Sequence, residues 1–149
     1  MEEKKMKKTS KILLLALLLV SLFSVGTIFA EGKTSADLMA EAKAQILQVN
    51  ADVAKLLLDS GDYLFIDIRE PSETKMGFIP GAIQIPRGLL EFKIASTVAD
   101  QNTPIVVYCK SGGRSSLGTL TLKTMGYTNV MSMAGGWLAW EKAGYPIDE

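Results

Sequence analysis

Apolar residues occur in short runs along the chain after residue 60. Residues 63–68 (YLFIDI) and 104–108 (PIVVY) are the clearest runs, and each has the length of a buried strand. Ile83 and Ile85 alternate with polar neighbours, and residues 129–133 (NVMSM) form a last short apolar run. The pattern therefore predicts four strand segments, two of which are buried.

Segments of helical composition separate these runs. Helices are predicted at the following places along the chain: residues 36–47, 51–58 and 89–96, the stretch from Leu117 to Thr124 with Gly126 as its cap, and a short helix that carries Trp137 and Trp140 on one face. Strands that alternate with helices are typical of an α/β fold with a mostly parallel sheet.

The first thirty residues differ from the rest. A lysine-rich start precedes an apolar run at residues 12–20 (ILLLALLLV), and weaker apolar character continues to Ala30. This is the pattern of a secretory signal peptide. Residues 12–30 are also close to the roughly 20 residues that span a bilayer, so an uncleaved anchor remains open. We expect residues 1–30 to be a signal peptide or N-terminal anchor, residues 31–149 to form one domain, and the protein to be exported, periplasmic or otherwise extracytoplasmic.

Charge and composition exclude several kinds of function. Without the five lysines and two glutamates of residues 1–30, the 16 basic and 16 acidic residues of the chain become 11 and 14. Such a balance does not favour nucleic acid as a partner. The chain has no histidine, which excludes histidine base catalysis and histidine metal ligation, and we predict neither a metal nor a cofactor. Contact with a membrane is expected only through the N-terminal segment.

Cys109 is the only cysteine, so no internal disulfide can form. It follows the predicted strand at residues 104–108 and precedes a glycine-rich loop, residues 110–113 (KSGG), with Arg114 beyond it. In parallel sheets, ligand sites gather at the carboxyl ends of strands. Loop N–H groups, a following helix start and the charges of Lys110 and Arg114 all favour a thiolate, which is the nucleophilic form of cysteine. Cys109 is therefore the candidate nucleophile.

Four segments in order resemble the rhodanese family of sulfurtransferases. They are CKSGGRS at residues 109–115, FIDIREPSE at 65–73, GFIPGAIQIP at 77–86 and GGWLAWEKAGYP at 135–146. The resemblance spans residues 47–147. It implies a rhodanese-like five-stranded parallel sheet flanked by helices. It also implies a persulfide on Cys109, loaded from a small sulfur-containing donor such as thiosulfate and unloaded by a nucleophilic acceptor such as cyanide or a thiol.

The resemblance assigns roles to the loop. The N–H groups from Lys110 through Ser111, Gly112 and Gly113 to Arg114 are expected to bind the transferred sulfur. The Lys110 side chain would attract an anionic donor, and Arg114 would hold the loop end or bind the donor.

Asp67, Arg69 and Phe78 lie outside the loop. Asp67 and Arg69 follow a strand and are interpreted as a structural ion pair near the loop. One departure is clear, because Phe78 stands where the family usually has histidine.

Two other functions remain open. Cysteine phosphatases and arsenate reductases have five residues between cysteine and arginine, whereas four intervene between Cys109 and Arg114. The smaller loop suits a single sulfur atom better than a tetrahedral oxyanion. A non-catalytic rhodanese-like module that binds a partner is the other alternative, although such modules usually lack the cysteine.

Overall fold

Within the part of the chain that the structure describes, five parallel strands form one sheet. The computed structural model describes residues 32–149, and the predicted signal peptide or anchor at residues 1–30 lies outside them. The strands are β1 (Leu47–Val49), β2 (Leu64–Asp67), β3 (Ile83–Gln84), β4 (Ile105–Tyr108) and β5 (Val130–Met133). Their order across the sheet is β1-β5-β4-β2-β3, with every pair parallel. The sheet that the family resemblance implies is thus confirmed.

Within residues 32–149, six helices and one 3₁₀ turn accompany the strands. The helices are α1 (Ser35–Gln45), α2 (Ala51–Ser60), α3 (Pro71–Thr74), α4 (Leu90–Thr97), α5 (Gly113–Thr124) and α6 (Gly136–Lys142), and the 3₁₀ turn is Arg87–Leu89. Among the helices of residues 32–149, none has the length and apolar composition needed to cross a membrane.

Local sequence explains where two of these helices begin and end. The Asn50 side chain accepts a hydrogen bond from the Val53 N–H at 2.9 Å and so begins α2. Gly61 ends α2 in the left-handed conformation, with φ of 76°. After α5, Gly126 has φ of 100°, which confirms its predicted role as a C-terminal cap.

The sheet buries apolar side chains on both faces, because successive residues of a strand point to opposite sides. Ile105 and Val107 of β4 pack with α4 and α5 residues on one face, and Cys109 belongs to the same cluster. Val106 and Tyr108 pack on the other face with the tryptophans of α6. Burial of each such large side chain contributes about 1.5–3 kcal/mol to the free energy of unfolding.

One predicted boundary is wrong and one strand was missed. Residues 36–47 were predicted as a single helix, but α1 ends at Gln45 and Leu47 begins β1. No glycine or proline separates the two elements, so the local sequence contains no signal for the change. β1 forms because its backbone pairs with β5, from Leu47 opposite Met131 to Val49 opposite Met133. Tertiary pairing decided this element.

The order of strands positions the site. β4 lies in the middle of the sheet between β5 and β2, and Cys109 follows β4 directly. The carboxyl end of β2 lies beside it, since Asp67 is in register with Tyr108. This end of a parallel sheet is where ligand sites form in α/β proteins.

Candidate active site

The Cys109 thiol lies inside the glycine-rich loop and is almost covered by it. The residue is 1% exposed. Its Sγ accepts hydrogen bonds from the Gly112 N–H at 3.2 Å and from the Ser115 N–H at 3.4 Å. Backbone N–H groups therefore point at the sulfur from both sides of the loop, and they favour negative charge there.

The loop closes around the sulfur because Gly112 adopts a left-handed conformation, with φ of 95°. The chain then enters α5 at Gly113, so Sγ lies at the N-terminus of a helix of 12 residues. The unpaired N–H groups and the dipole of this helix end both attract an anion. The sequence thus places the Cys109 sulfur at a helix start, among backbone N–H donors.

A second glycine pair supports the loop from the other side. The first N–H groups of α6 bind its carbonyls: Trp137 N–H donates to Cys109 O at 2.8 Å, and Leu138 N–H donates to Lys110 O at 3.0 Å. These two bonds hold the first two carbonyls of the loop against α6. Gly136 has φ of 54°, and a Cβ there would overlap the Cys109 carbonyl oxygen. In the sequence, Gly135 and Gly136 begin the last segment that resembles the rhodanese family, but their support of the Cys109 loop was not predicted.

Arg114 is held by Glu73. Its Nη1 and Nη2 donate to the two Glu73 carboxylate oxygens at 2.7 and 2.8 Å. These bonds lower the pKa of Glu73 to about 2 and raise the pKa of Arg114. Glu73 also accepts from the Glu70 N–H at 3.0 Å and so helps to cap the start of α3. The sequence did not indicate that Glu73 would also fix the arginine of the loop.

Replacement of Glu73 by glutamine is expected to lower the free energy of unfolding by about 1–2 kcal/mol at neutral pH, an amount reduced by the partial exposure of the pair. The folded-state pKa of about 2 lies below the ordinary 4.5, so the charged carboxylate stabilises the fold above pH 4.5. That contribution disappears as pH falls from 4.5 to about 2. Urea unfolding of wild type and variant at several pH values measures the difference.

The matched control is Asp59→Asn, which removes an exposed ion pair with Lys55. It is expected to change the free energy of unfolding by less than about 0.5 kcal/mol, as exposed pairs do. The role assigned to the carboxylate charge would be contradicted if the difference in free energy of unfolding between wild type and Glu73→Gln stayed constant down to about pH 2.

Asp67 and Arg69 form the buried ion pair that the sequence predicts. Arg69 Nη2 lies 2.6 Å from Asp67 Oδ2, and both side chains are almost completely buried. The guanidinium also donates to the Gly77 carbonyl at 2.8 Å and lies 4.3 Å from the centre of a Trp137 ring. Its hydrogen bonds join β2 to the following turn, and its stacking on Trp137 adds a contact with α6, on the sheet face opposite Cys109. The pair holds together the elements that surround the loop.

A cleft of about 330 Å³ borders the loop. Its lining residues are Arg69, Ser72, Glu73, Met76, Lys110, Trp137, Leu138 and Glu141. Met76 and Leu138 are exposed apolar side chains, and Lys110 and Glu141 are exposed charges. The cleft therefore offers apolar surface together with one exposed charge of each sign next to the loop.

The structure brings the predicted site residues together. It differs from the prediction at Arg114 and at Ser115. Cys109, Lys110, Ser111, Gly112 and Gly113 form one continuous loop, in which only Lys110 reaches the cleft. Arg114 directs its terminal donors to Glu73, and Ser115, which was not among the predicted site residues, supplies an N–H group to Sγ.

Phe78 has a backbone role in the structure. Its N–H and carbonyl pair with Asp148 near the C-terminus, each bond at 2.9 Å, and the residue is not part of the cleft lining. Within residues 32–149, no group of three or more His, Cys, Asp or Glu side chains is arranged to hold a metal ion.

Known proteins are similar to this chain in sequence. A family model, the rhodanese-like domain, matches residues 50–143. A sulfurtransferase from Allochromatium vinosum is 37% identical over 95 residues, which are 64% of this chain and 87% of that protein. Thiosulfate sulfurtransferase 16, a chloroplastic protein of Arabidopsis thaliana, is 36% identical over 118 residues, covering 72% of this chain and 98% of its own length.

A solved structure agrees in fold. A protein of unknown function from Rhodopseudomonas palustris, described as a possible tyrosine phosphatase, superimposes with a TM-score of 0.75 at 33% identity and covers 79% of this chain and 96% of its own.

The fold and the loop together define a parallel α/β protein with a cysteine thiol, held by backbone N–H groups, at the carboxyl end of its central strand. The family match covers more than half of the chain and includes every residue of the loop, so the chain belongs to the rhodanese-like domain family. Its sulfurtransferase relatives support sulfur transfer in general.

Proposed function

We propose that this protein is a sulfurtransferase that carries sulfane sulfur as a persulfide on Cys109, with thiosulfate as a donor and a thiol or cyanide as acceptor. The observation that carries the proposal is the loop itself: Sγ accepts two backbone N–H groups at the start of α5. That arrangement favours a thiolate, which can attack a sulfur atom without a positioned base. The absence of histidine is compatible with this chemistry.

Loading and unloading are two displacements at sulfur. The Cys109 thiolate attacks the outer sulfur of thiosulfate, an Sγ–S bond forms, and sulfite leaves with the electron pair of the broken S–S bond. The acceptor anion then attacks the carried sulfur. The Sγ–S bond breaks, its electron pair returns to Sγ as the thiolate, and the acceptor leaves as a persulfide or as thiocyanate. No further oxidant or reductant is needed.

Two observations favour sulfur transfer over phosphatase chemistry, although one structural relative is described as a possible tyrosine phosphatase. Four residues separate Cys109 from Arg114, one fewer than in the cysteine phosphatases. Both terminal nitrogens of Arg114 are also bound to Glu73, so the arginine does not turn its donors toward the loop. A phosphate group held inside the loop would lack the bidentate partner that arginine supplies.

The cleft favours an organic thiol over cyanide as the natural acceptor. Its volume of about 330 Å³ lies at the lower end of the range for small-molecule sites and far exceeds the needs of a two-atom anion. Met76 and Leu138 provide apolar contact, while Lys110 and Glu141 provide one charge of each sign. A thiol with an apolar body, or one that carries both charges, matches this lining.

The test is mass spectrometry of residues 31–149 after incubation with thiosulfate. We expect the gain of one sulfur atom on Cys109, and its loss when an organic thiol or cyanide is added. Aryl phosphate, offered in the same buffer, is expected to show negligible turnover. Robust hydrolysis of the aryl phosphate that depends on Cys109, with no sulfur gained from thiosulfate, would overturn the proposal in favour of a phosphatase.

A further inference from the structure

A buried pair of serine hydroxyls continues from Cys109 into the protein interior. The Cys109 thiol donates to Ser115 Oγ at 3.7 Å, and Ser132 Oγ donates to the same Ser115 oxygen at 2.9 Å. Both serines are 0% exposed. The chain of hydroxyls therefore reaches from the nucleophile to β5 without contact with solvent.

The sheet determines that Ser132 faces this way. Ser132 lies opposite Val107 in the β4–β5 ladder, and its neighbours Met131 and Met133 pack on the other face of the sheet. Since side chains alternate along a strand, Ser132 points to the same face as Val107 and Cys109. It is a polar residue in a strand that is otherwise apolar, and every residue of that strand is buried. Buried polar groups are normally hydrogen-bonded, and Ser132 has its partner in Ser115.

We propose that Ser132 is a positioning residue that acts on Cys109 through Ser115. When the thiol ionises, its proton leaves to solvent, and the Ser115 hydroxyl is free to donate to the negative sulfur. Ser132 continues to donate to Ser115 Oγ, which orients the Ser115 hydroxyl and polarises it. Hydrogen bonds in such chains strengthen one another in a low-dielectric interior. Ser115 then supplies both its N–H and its O–H to the thiolate.

The charged groups around Cys109 are separate from this chain. They are Lys110 in the loop, the Arg114–Glu73 pair between α5 and α3, the Asp67–Arg69 pair on the opposite face, Arg87 with Glu91 beside α5, and Glu141 on α6. Substitution of Ser132 removes no charge and no backbone N–H group. A change in the ionisation of Cys109 would therefore report the hydroxyl chain.

The experiment measures the rate at which iodoacetamide alkylates the protein as a function of pH, since Cys109 is the only cysteine. In Ser132→Ala we expect the midpoint of the pH profile to move upward by about half a unit to one unit. The reason is that the Ser115 hydroxyl, no longer oriented by Ser132, donates a weaker hydrogen bond to the thiolate. Ser132→Thr keeps a hydroxyl, so its midpoint should lie close to that of wild type. Ser115→Ala should move the midpoint in the same direction.

The matched control is Thr119→Val. Thr119 lies one turn beyond Ser115 on α5, is also fully buried, and its hydroxyl has no hydrogen-bond partner within residues 32–149. Its replacement should leave the midpoint unchanged. The double variant Ser115→Ala with Ser132→Ala decides whether Ser132 acts through Ser115. We expect it to match Ser115→Ala alone.

The proposal is overturned by an unshifted midpoint in Ser132→Ala, or by a further shift when Ser132→Ala is added to Ser115→Ala. A shift of equal size in Thr119→Val would also overturn it, because loss of any buried hydroxyl would then suffice. The proposed role rests on the proposed function only for its biological meaning. Alkylation follows the thiolate itself, so failure to load sulfur from thiosulfate would refute sulfur transfer and leave this test valid.

Discussion

Cys109→Ser is expected to abolish sulfur transfer while it preserves the fold. The serine hydroxyl can accept the N–H groups of Gly112 and Ser115, so the loop retains its hydrogen bonds. It cannot form a persulfide, and enzymes that lose a covalent nucleophile lose about 10³-fold or more in rate. The measurements are the rate of thiosulfate-dependent sulfur transfer, the mass after loading, and thermal unfolding.

Cys109→Ala serves as the second variant, because it removes every nucleophilic atom at this position. Both variants should show the same residual rate and no added sulfur. A serine variant that transfers sulfur at a rate near that of wild type would show that another group carries the sulfur, and the proposed mechanism would be wrong.

Gly136→Ala is expected to damage stability and activity together. The added Cβ would overlap the Cys109 carbonyl oxygen and lie 2.9 Å from the carbonyl carbon of Lys110, so the loop or α6 must move. The positive φ of 54° adds backbone strain for alanine. Overpacking and strain together are expected to lower the free energy of unfolding by about 2–5 kcal/mol. Displacement of the Trp137 and Leu138 N–H groups should reduce sulfur loading at least about tenfold.

The control for Gly136→Ala is Gly61→Ala, at the end of α2. Gly61 also has a positive φ, 76°, but a Cβ there would meet nothing within 4 Å. It should cost only the conformational strain, about 1 kcal/mol, and leave sulfur loading unchanged. Equal rates of loading in the Gly136 variant and wild type would contradict the view that α6 holds the loop.

Part of the fold followed from short-range patterns. The apolar runs at residues 63–68 and 104–108 contain β2 and β4, and glycines mark the ends of α2 and α5. These features depend on neighbouring residues and therefore appear in the sequence. β1 depends on hydrogen bonds to β5, more than eighty residues away, and it was not predicted. Its first residue, Leu47, was assigned to the preceding helix. Its three residues carry too short a pattern to predict a strand.

The sequence by itself determined the chemistry of this protein: one cysteine, no histidine, and a glycine-rich loop between a strand and a helix. Only the tertiary structure decided what holds that chemistry in place. Glu73 binds Arg114 across 41 residues, the N–H groups of α6 bind the loop carbonyls, and Ser132 reaches Ser115 from β5. The physical reason is the distance along the chain between the residues that interact. A turn and a helix start are encoded by adjacent residues, whereas these contacts exist only after the parallel sheet brings distant segments to one edge.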